Sequence, residues 1–240
     1  MVPILMYHNV GEGERHLTVS PQALARQCRL LRAMGFHAIT LRELGEQLQM
    51  ERIARRVVVL TFDDALLGVY QYALPTLRNY GWSATVFAVS QRLGQETDWA
   101  PRYRHRVMSR QQLVDLHAQG WEVGAHTLTH PYLTRLPPED AWREVAQSRE
   151  ELQQLVRAEV YSFCYPYGDF NGDTVQMVRA SGYRVACTVH KGLACPQDDP
   201  FTLPRVPIAY SDGATGLLYR LWRAWRRTRR CRTRGGIDEL

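Results

Sequence analysis

Lysine is almost missing from these 240 residues: Lys191 is the single one, and the other 29 of the 30 basic residues are arginine. Such a bias can come from nucleotide composition and by itself excludes nothing. Cysteine says more. Cys28, Cys164, Cys187, Cys195 and Cys231 are odd in number and never fall in Cys-x-x-Cys spacing. That argues against a disulfide framework or a zinc ribbon and fits a reducing compartment. No apolar run approaches the roughly 20 residues of a membrane span. No basic stretch leads into an apolar core and a small-residue cleavage site. The chain opens directly on a strand-like run, so no signal peptide is expected in it. These absences lead to the expectation of a cytoplasmic protein, with peripheral attachment to the inner face of the membrane as the variant. Low-complexity segments and internal repeats are missing too. What remains is 45% apolar residues in a length suited to one core, the composition of a globular domain.

Charge is unevenly placed. Residues 213–240 hold eight arginines and two acids, Asp238 and Glu239; taking these from 30 basic and 24 acidic residues leaves 22 of each before position 213. The main body is neutral and the tail carries the whole net charge of +6.

Arg55-Arg56-Val57-Val58-Val59-Leu60 reads as a buried parallel strand. Thr61-Phe62-Asp63-Asp64 follows, placing two carboxylates where that strand ends. In parallel α/β folds the carboxyl ends of the strands are where the chemistry is done. Adjacent residues of an extended chain point to opposite sides. Asp63 and Asp64 therefore need a local kink to share one cavity, or they do different jobs. On these residues alone, a helix N-cap with a second acid beside it is the commoner reading. A second stretch shifts the balance. Trp121-Glu122-Val123 reads as a strand, and Gly124-Ala125-His126-Thr127-Leu128-Thr129-His130-Pro131 follows it. One helical turn would put His126 and His130 on one face. Two imidazoles and a carboxylate suit a borderline metal such as zinc and leave a coordination position open for water.

Thr61-Phe62-Asp63-Asp64, His126-Thr127-Leu128-Thr129-His130 and Tyr165-Pro166-Tyr167-Gly168 come in this order, each after a strand-like run. They resemble the first three motifs of the polysaccharide deacetylase family, which has the NodB-homology fold and is also called carbohydrate esterase family 4. The resemblance covers residues 1 to 210. The opening Pro3-Ile4-Leu5-Met6-Tyr7-His8-Asn9-Val10 is similar to the branch that includes the bacterial poly-N-acetylglucosamine deacetylases, in which the catalytic acid is a histidine near the start of the domain. The resemblance implies an α/β fold, a distorted (β/α) barrel of about seven parallel strands, over residues 1–212. It implies that Asp64, His126 and His130 bind a divalent metal, with Zn2+ favoured over Co2+, Ni2+ or Mn2+, and that Asp63 is the general base. The backbone N–H of Tyr167 is the implied oxyanion donor, Pro166 fixes the turn, and Tyr165 and Tyr167 are candidate walls of a sugar groove.

The leaving amine must be protonated, and a histidine suits the task. His8, at a strand exit in Met6-Tyr7-His8, is the leading candidate; on its own it would more often be a packed or surface histidine. His190, in Thr188-Val189-His190-Lys191-Gly192, ranks second, since other branches carry the acid on a late Leu-x-His strand end and the leucine is absent here. His16, His37, His105 and His117 fall in loop or helix patterns and read as solvated. There are departures from the family pattern. Ala65 stands where glycine is usual. The third motif lacks the arginine that pairs with the base aspartate in many members, and Cys164, read as a buried strand residue, lies in that region. The Asp-Trp of a fourth motif is missing. The last two absences also occur in the branch it most resembles, so they bear on substrate.

The intervening pattern alternates strand and helix. Ser20-Pro21 opens a helix ended by Gly35, with Gly11 to Ser20 as a loop before it. Capping boxes start helices at Thr40 and Ser109. Gly68 to Tyr80 reads as a helix with Pro75 marking a bend or its true start. Gln91 to Val107, polar and carrying Trp99, Arg102 and Tyr103, reads as a loop over one end of the barrel. Pro137 to Val156 is an outer helix, Asn171 caps another, and Arg205 to Ile208 is the last strand.

Residues 213–240 lie outside the resemblance. Leu218, Leu221, Trp222 and Trp225 fall at i, i+3, i+4 and i+7, with Arg220, Arg223, Arg226, Arg227, Arg229 and Arg230 around them. This is a basic amphipathic helix, suited through 213–234 to an anionic membrane surface, or equally to docking on the barrel with a frayed basic end. Nucleic acid fits less well, because no recognition fold accompanies the charge. The implied activity is a metal-dependent hydrolase removing N-acetyl groups from an N-acetylated sugar in a polysaccharide or glycolipid. The alternatives are the same fold acting on a non-carbohydrate amide, or a non-catalytic barrel that binds glycan or tethers a membrane assembly.

Overall fold

The computed structural model describes residues 1–12, 17–100, 104–209 and 212–235, with side chains described through Arg229. His16, Arg102, Tyr103, the side chain of Arg230 and the terminal acids Asp238 and Glu239 lie outside the described residues.

The strands close on themselves. In chain order the elements are β1 (Ile4–Tyr7), β2 (Asn9–Val10), β3 (Thr18–Val19), α1 (Pro21–Ala33), β4 (His37–Ile39), α2 (Leu41–Gln49), β5 (Val57–Phe62), α3 (Leu74–Arg78), β6 (Thr85–Ala88), α4 (Arg110–Ala118), β7 (Glu122–Ala125), α5 (Pro138–Val156), β8 (Ser162–Cys164), α6 (Gly172–Ala180), β9 (Val185–Lys191), β10 (Leu203–Pro207) and α7 (Ala214–Gly235). All pairings of the main sheet are parallel, in the order β1-β10-β9-β8-β7-β6-β5, and β5 pairs back to β1. The result is the expected α/β barrel of seven parallel strands. β4 is an eighth strand on the sheet: it pairs with residues 57–59 of β5, while β6 takes 61–62 of the same strand.

Strand parity sorts the side chains. Ile4, Val57, Val59, Phe87, Cys164, Cys187 and Leu203 form the inner cluster, joined by Leu41 and Leu44 of α2. Their neighbours Leu5, Val58, Leu60, Phe163 and Val206 belong to the larger cluster under the outer helices. This alternation follows from the period of two along a strand, and burial on both faces explains why β5 is apolar throughout. Gly124 lets β7 approach its neighbours: a Cβ there would lie 2.5 Å from Ser162 Oγ and 2.6 Å from Phe87.

The local signals mostly hold. Ser20, Thr40, Ser109 and Asn171 accept from the backbone at the starts of α1, α2, α4 and α6. Two segments differ. The Gly11–Ser20 segment contains β3, which pairs in parallel with β2. The helix expected from Gly68 to Tyr80 is a π-turn over Val69–Ala73 followed by the short α3. Pro75, at the start of α3, has no N–H to donate to the preceding turn, and the wider turn accommodates that loss.

α7 rests on the barrel through Leu217 and Ala224, both buried, with Leu221 packed against the same core. Thr228 Oγ1 accepts from Leu193 N at 2.9 Å. The stripe read from the sequence is split: Leu221 packs on the barrel beside Leu217 and Ala224, whereas Leu218, Trp222 and Trp225 are exposed. Among the described residues no helix is long and apolar enough to cross a membrane.

Candidate active site

Parity puts Asp63 in the barrel mouth, on the face of Val57, Val59 and Thr61. Asp64 would then point outward. Instead Asp64 and Ala65 adopt left-handed backbone, φ 70° and φ 50°. This is the kink that adjacency required, and it returns the Asp64 carboxylate to the same mouth. Ala65 accepts a conformation that glycine would take without strain.

The two histidines converge, but not along a helical turn. β7 ends at Ala125, and residues 126–130 form a loop in which Thr127 and His130 have φ 67° and 68°. The loop has its own supports. His130 N donates to Thr127 Oγ1 at 3.0 Å. Glu144, buried on α5, accepts from Leu128 N, Thr129 N and Thr129 Oγ1 at 2.9, 3.0 and 2.7 Å. Nothing local distinguishes Glu144 among the charges of its helix, and the sequence reading did not single it out.

His126 Nε2 and His130 Nε2 lie 3.6 and 3.4 Å from Asp64 Oδ1. Ligands about 2.0–2.1 Å from a tetrahedral zinc sit roughly 3.3 Å apart, so the spacing fits a divalent ion. The electrostatics agree. Burial, then the neighbouring Asp63 charge, raises the Asp64 pKa to about 8. Burial lowers His126 to about 4 and His130 to about 2, which keeps both imidazoles neutral. Asp64 Oδ1 and His130 Nδ1 are buried without a hydrogen-bond partner. His126 Nδ1 meets Cys164 O at 2.7 Å, which assigns its proton to Nδ1 and leaves the Nε2 lone pair facing Asp64. Two imidazole nitrogens converging on one unpartnered carboxylate oxygen are an arrangement that a cation can satisfy.

Asp63 is held differently. Arg205, fully buried on β10, donates Nη1 to Asp63 Oδ1 at 2.7 Å and Nη2 to Oδ2 at 2.8 Å. Its other donors reach Thr188 O, Thr61 Oγ1 and Cys164 Sγ. That accounts for all five guanidinium N–H groups. The third motif lacks an arginine for Asp63, as read, and the last strand supplies one in its place. Burial raises the Asp63 pKa, but the charge and hydrogen bonds of Arg205 outweigh it, and the net shift is well below the usual carboxylate range. Cys164 is a buried strand residue, as read, with its thiol pKa pushed up by burial.

His8 leaves β1 with Nε2 3.9 Å from Asp63 Oδ2 and its side chain 21% exposed. His190 is exposed on β9 and packs edge-on against Phe170. His105 contacts Asn9, and His117 Nδ1 contacts Trp121 O, so the fold holds both where the sequence suggested solvated rings.

Trp99 stacks on His130 at 4.6 Å, Tyr167 meets His130 edge-on at 4.5 Å, and Tyr132 stacks on Tyr167 at 3.9 Å. Tyr167 is 39% exposed with φ 58°, in a 3₁₀ turn opened by buried Pro166. Tyr165 does not share this wall. It is buried and its hydroxyl donates to Phe201 O at 3.0 Å, because strand parity turns it toward the outer helices. Asp169 accepts from Thr134 N and Oγ1, tying the third-motif turn to the segment after the histidines.

Comparison with known proteins follows the same line. Residues 51–186 match the family model described as polysaccharide deacetylase. YxkH of Bacillus subtilis, named for the same family, is 27% identical over 216 residues, 90% of this chain and 73% of its own length. The poly-β-1,6-N-acetyl-D-glucosamine N-deacetylase of Staphylococcus epidermidis is 23% identical over 204 residues, 81% of this chain and 69% of its own. Among solved structures, IcaB from Ammonifex degensii superposes with a TM-score of 0.80 at 23% identity, covering 92% of this chain and 97% of that one, which shows the shared fold.

Proposed function

The chain belongs to the polysaccharide deacetylase family, and from that premise we propose that it is a metal-dependent N-deacetylase of an N-acetylated sugar in a polysaccharide or glycolipid. Asp64, His126 and His130 hold a divalent ion, zinc favoured. When bound, that ion supplies a Lewis acid for the acetyl carbonyl and for the attacking water. Asp63 accepts the proton of that water. Arg205 keeps the Asp63 carboxylate ionised and fixes its plane. The water oxygen joins the acetyl carbon, the Tyr167 N–H steadies the developing oxyanion, and the carbon–nitrogen bond breaks. His8, open to solvent and close to Asp63, gives the departing sugar nitrogen its proton, so that acetate and a free amine leave. Trp99, Tyr132 and Tyr167 offer aromatic faces on which a sugar ring can stack.

The observation that carries this reading is the convergence of Asp64 with two neutral imidazoles beside a separately clamped Asp63. The test is acetate release from N-acetylglucosamine oligomers. Release should stop with a chelator, return with zinc, cobalt, nickel or manganese, and fall roughly 10³-fold in Asp63→Asn and in His126→Ala, a loss of several kcal/mol of transition-state stabilisation. Release that persists in chelator sinks the metal role. No release from any N-acetylated glycan, with glycan binding retained, favours the non-catalytic barrel.

A further inference from the structure

α7 leaves a second, chemically distinct surface on the molecule. Between it and β10 lies a groove of about 730 Å3, lined by Lys191, Arg220, Arg223, Arg227, Tyr219 and Trp222. The one carboxylate in its wall, Asp212, is paired with Arg220. Among the described residues no carboxylate pairs with Lys191, Arg223, Arg226 or Arg227. No acid occurs between Asp212 and Asp238. Among the described residues, the groove is therefore a pocket of positive charge whose surface cations have no carboxylate partner beyond Asp212.

Beside it the same helix is apolar where it should be polar. Leu218, Tyr219, Trp222 and Trp225 are 41%, 55%, 49% and 40% exposed. They are not left over from docking, since Leu217, Leu221, Ala224 and Thr228 already serve the barrel. Arg226 lies over the Trp222 ring and Arg229 over the Trp225 ring, each at 4.8 Å. Guanidinium groups over exposed indoles are what a membrane interface favours, apolar ring inward and charge at headgroup level. A second copy of this chain would bring a like-charged face to this one. A nucleic acid would satisfy the arginines and leave Leu218 uncovered.

We propose that α7 seats the barrel on an anionic phospholipid surface, with the α7–β10 groove taking a headgroup phosphate and Leu218, Trp222 and Trp225 entering the interfacial layer. The contact is made by the outer flank of a docked helix and needs no undocking of α7. It is independent of the reaction proposed above, and vesicle partition reads it without catalysis.

The full chain is sedimented with phosphatidylcholine vesicles and with vesicles containing phosphatidylglycerol. Partition should be at least about tenfold stronger on the anionic vesicles, falling about tenfold or more in Arg223→Gln/Arg227→Gln. Trp222→Ala/Trp225→Ala should lose a similar factor, and brominated acyl chains should quench the tryptophan emission of the parent but not of this variant. Melting temperature and acetate release from soluble oligomers should match the parent in both variants, because neither pair touches the barrel mouth. Equal partition to neutral and anionic vesicles overturns the proposal, as does parental binding by either variant. If inorganic pyrophosphate or an oligonucleotide occupies the groove fully while the tryptophan pair has no effect on binding, the site serves soluble anions and the lipid assignment is wrong.

Discussion

Two carboxylates stand side by side in the barrel mouth and live under opposite conditions. Asp63 has both oxygens on Arg205, whose five donors are all used. Asp64 has a buried oxygen with no donor, facing two imidazoles that burial keeps neutral. One half of the site is electrostatically complete in the protein alone. The other is not, and without a cation it favours a proton on Asp64. Neighbouring residues of one type can therefore divide the labour, provided that the backbone turns between them and that a distant strand supplies a counter-charge to just one.

The strongest way to break this contrast is to remove the counter-charge. Arg205→Met leaves Asp63 buried and unpaired, and should cost about 3–5 kcal/mol of stability, read by denaturant unfolding. Adding Asp63→Asn should recover part of that loss. If Arg205→Met alone is as stable as the parent, Asp63 does not depend on the clamp. Next comes the support of the histidine loop. Glu144→Gln keeps the shape and removes the charge that gathers three donors, and should weaken metal affinity about 10–100-fold, measured by titration with a competing chelator. Unchanged affinity would make Glu144 a packing residue only.

A smaller effect lies in pH. Asp64 has a folded pKa of about 8, above its unfolded value. Its neutral form is the stable one in the fold, so metal-free protein should lose stability as pH rises toward 8, by at most about 2 kcal/mol between pH 6.5 and 8. His126 and His130 are depressed and act in the other direction, but only below about pH 6.5, where the unfolded imidazoles take up protons. Melting curves in chelator at the two pH values test this, and metal-free Asp64→Asn should show no such loss. A parent that is equally stable at both would remove the contrast between the carboxylates. The smallest effect is at the kink. Ala65→Gly relieves left-handed strain and adds unfolded-state entropy, for a net change under about 1 kcal/mol, visible as a small rise or no change in Tm. A large fall would mean that the Ala65 methyl contributes packing that outweighs the strain.

What is legible in the sequence and what is not differ in one physical respect. Asp63, Asp64, His126 and His130 stand at the carboxyl ends of strands whose apolar runs are visible locally, so their place in the mouth followed from the runs. The kink between the two aspartates was foreseeable as a need, but its form was not, because Ala65 carries no glycine signal. The one-turn spacing of the histidines suggested a helix, whereas Glu144, sixteen residues past Leu128, holds them in a loop. Trp99 sat in a segment recognised only as a long loop, and its stack on His130 depends on how that loop folds over the mouth. On α7 the helix has two apolar flanks, and periodicity does not say which one meets the barrel.

The amino-acid order alone determined the alternation of strand and helix, the parallel sheet it implies, the residues at the strand ends and the concentration of charge after residue 212. These are matters of local periodicity and chain position. The tertiary structure alone decided that Arg205 completes Asp63 across 142 residues, that Tyr165 faces the outer helices while Tyr167 faces the mouth, and that α7 shows its tryptophans to the outside. Each of these depends on strand register and barrel closure, which bring into contact side chains that no local pattern connects.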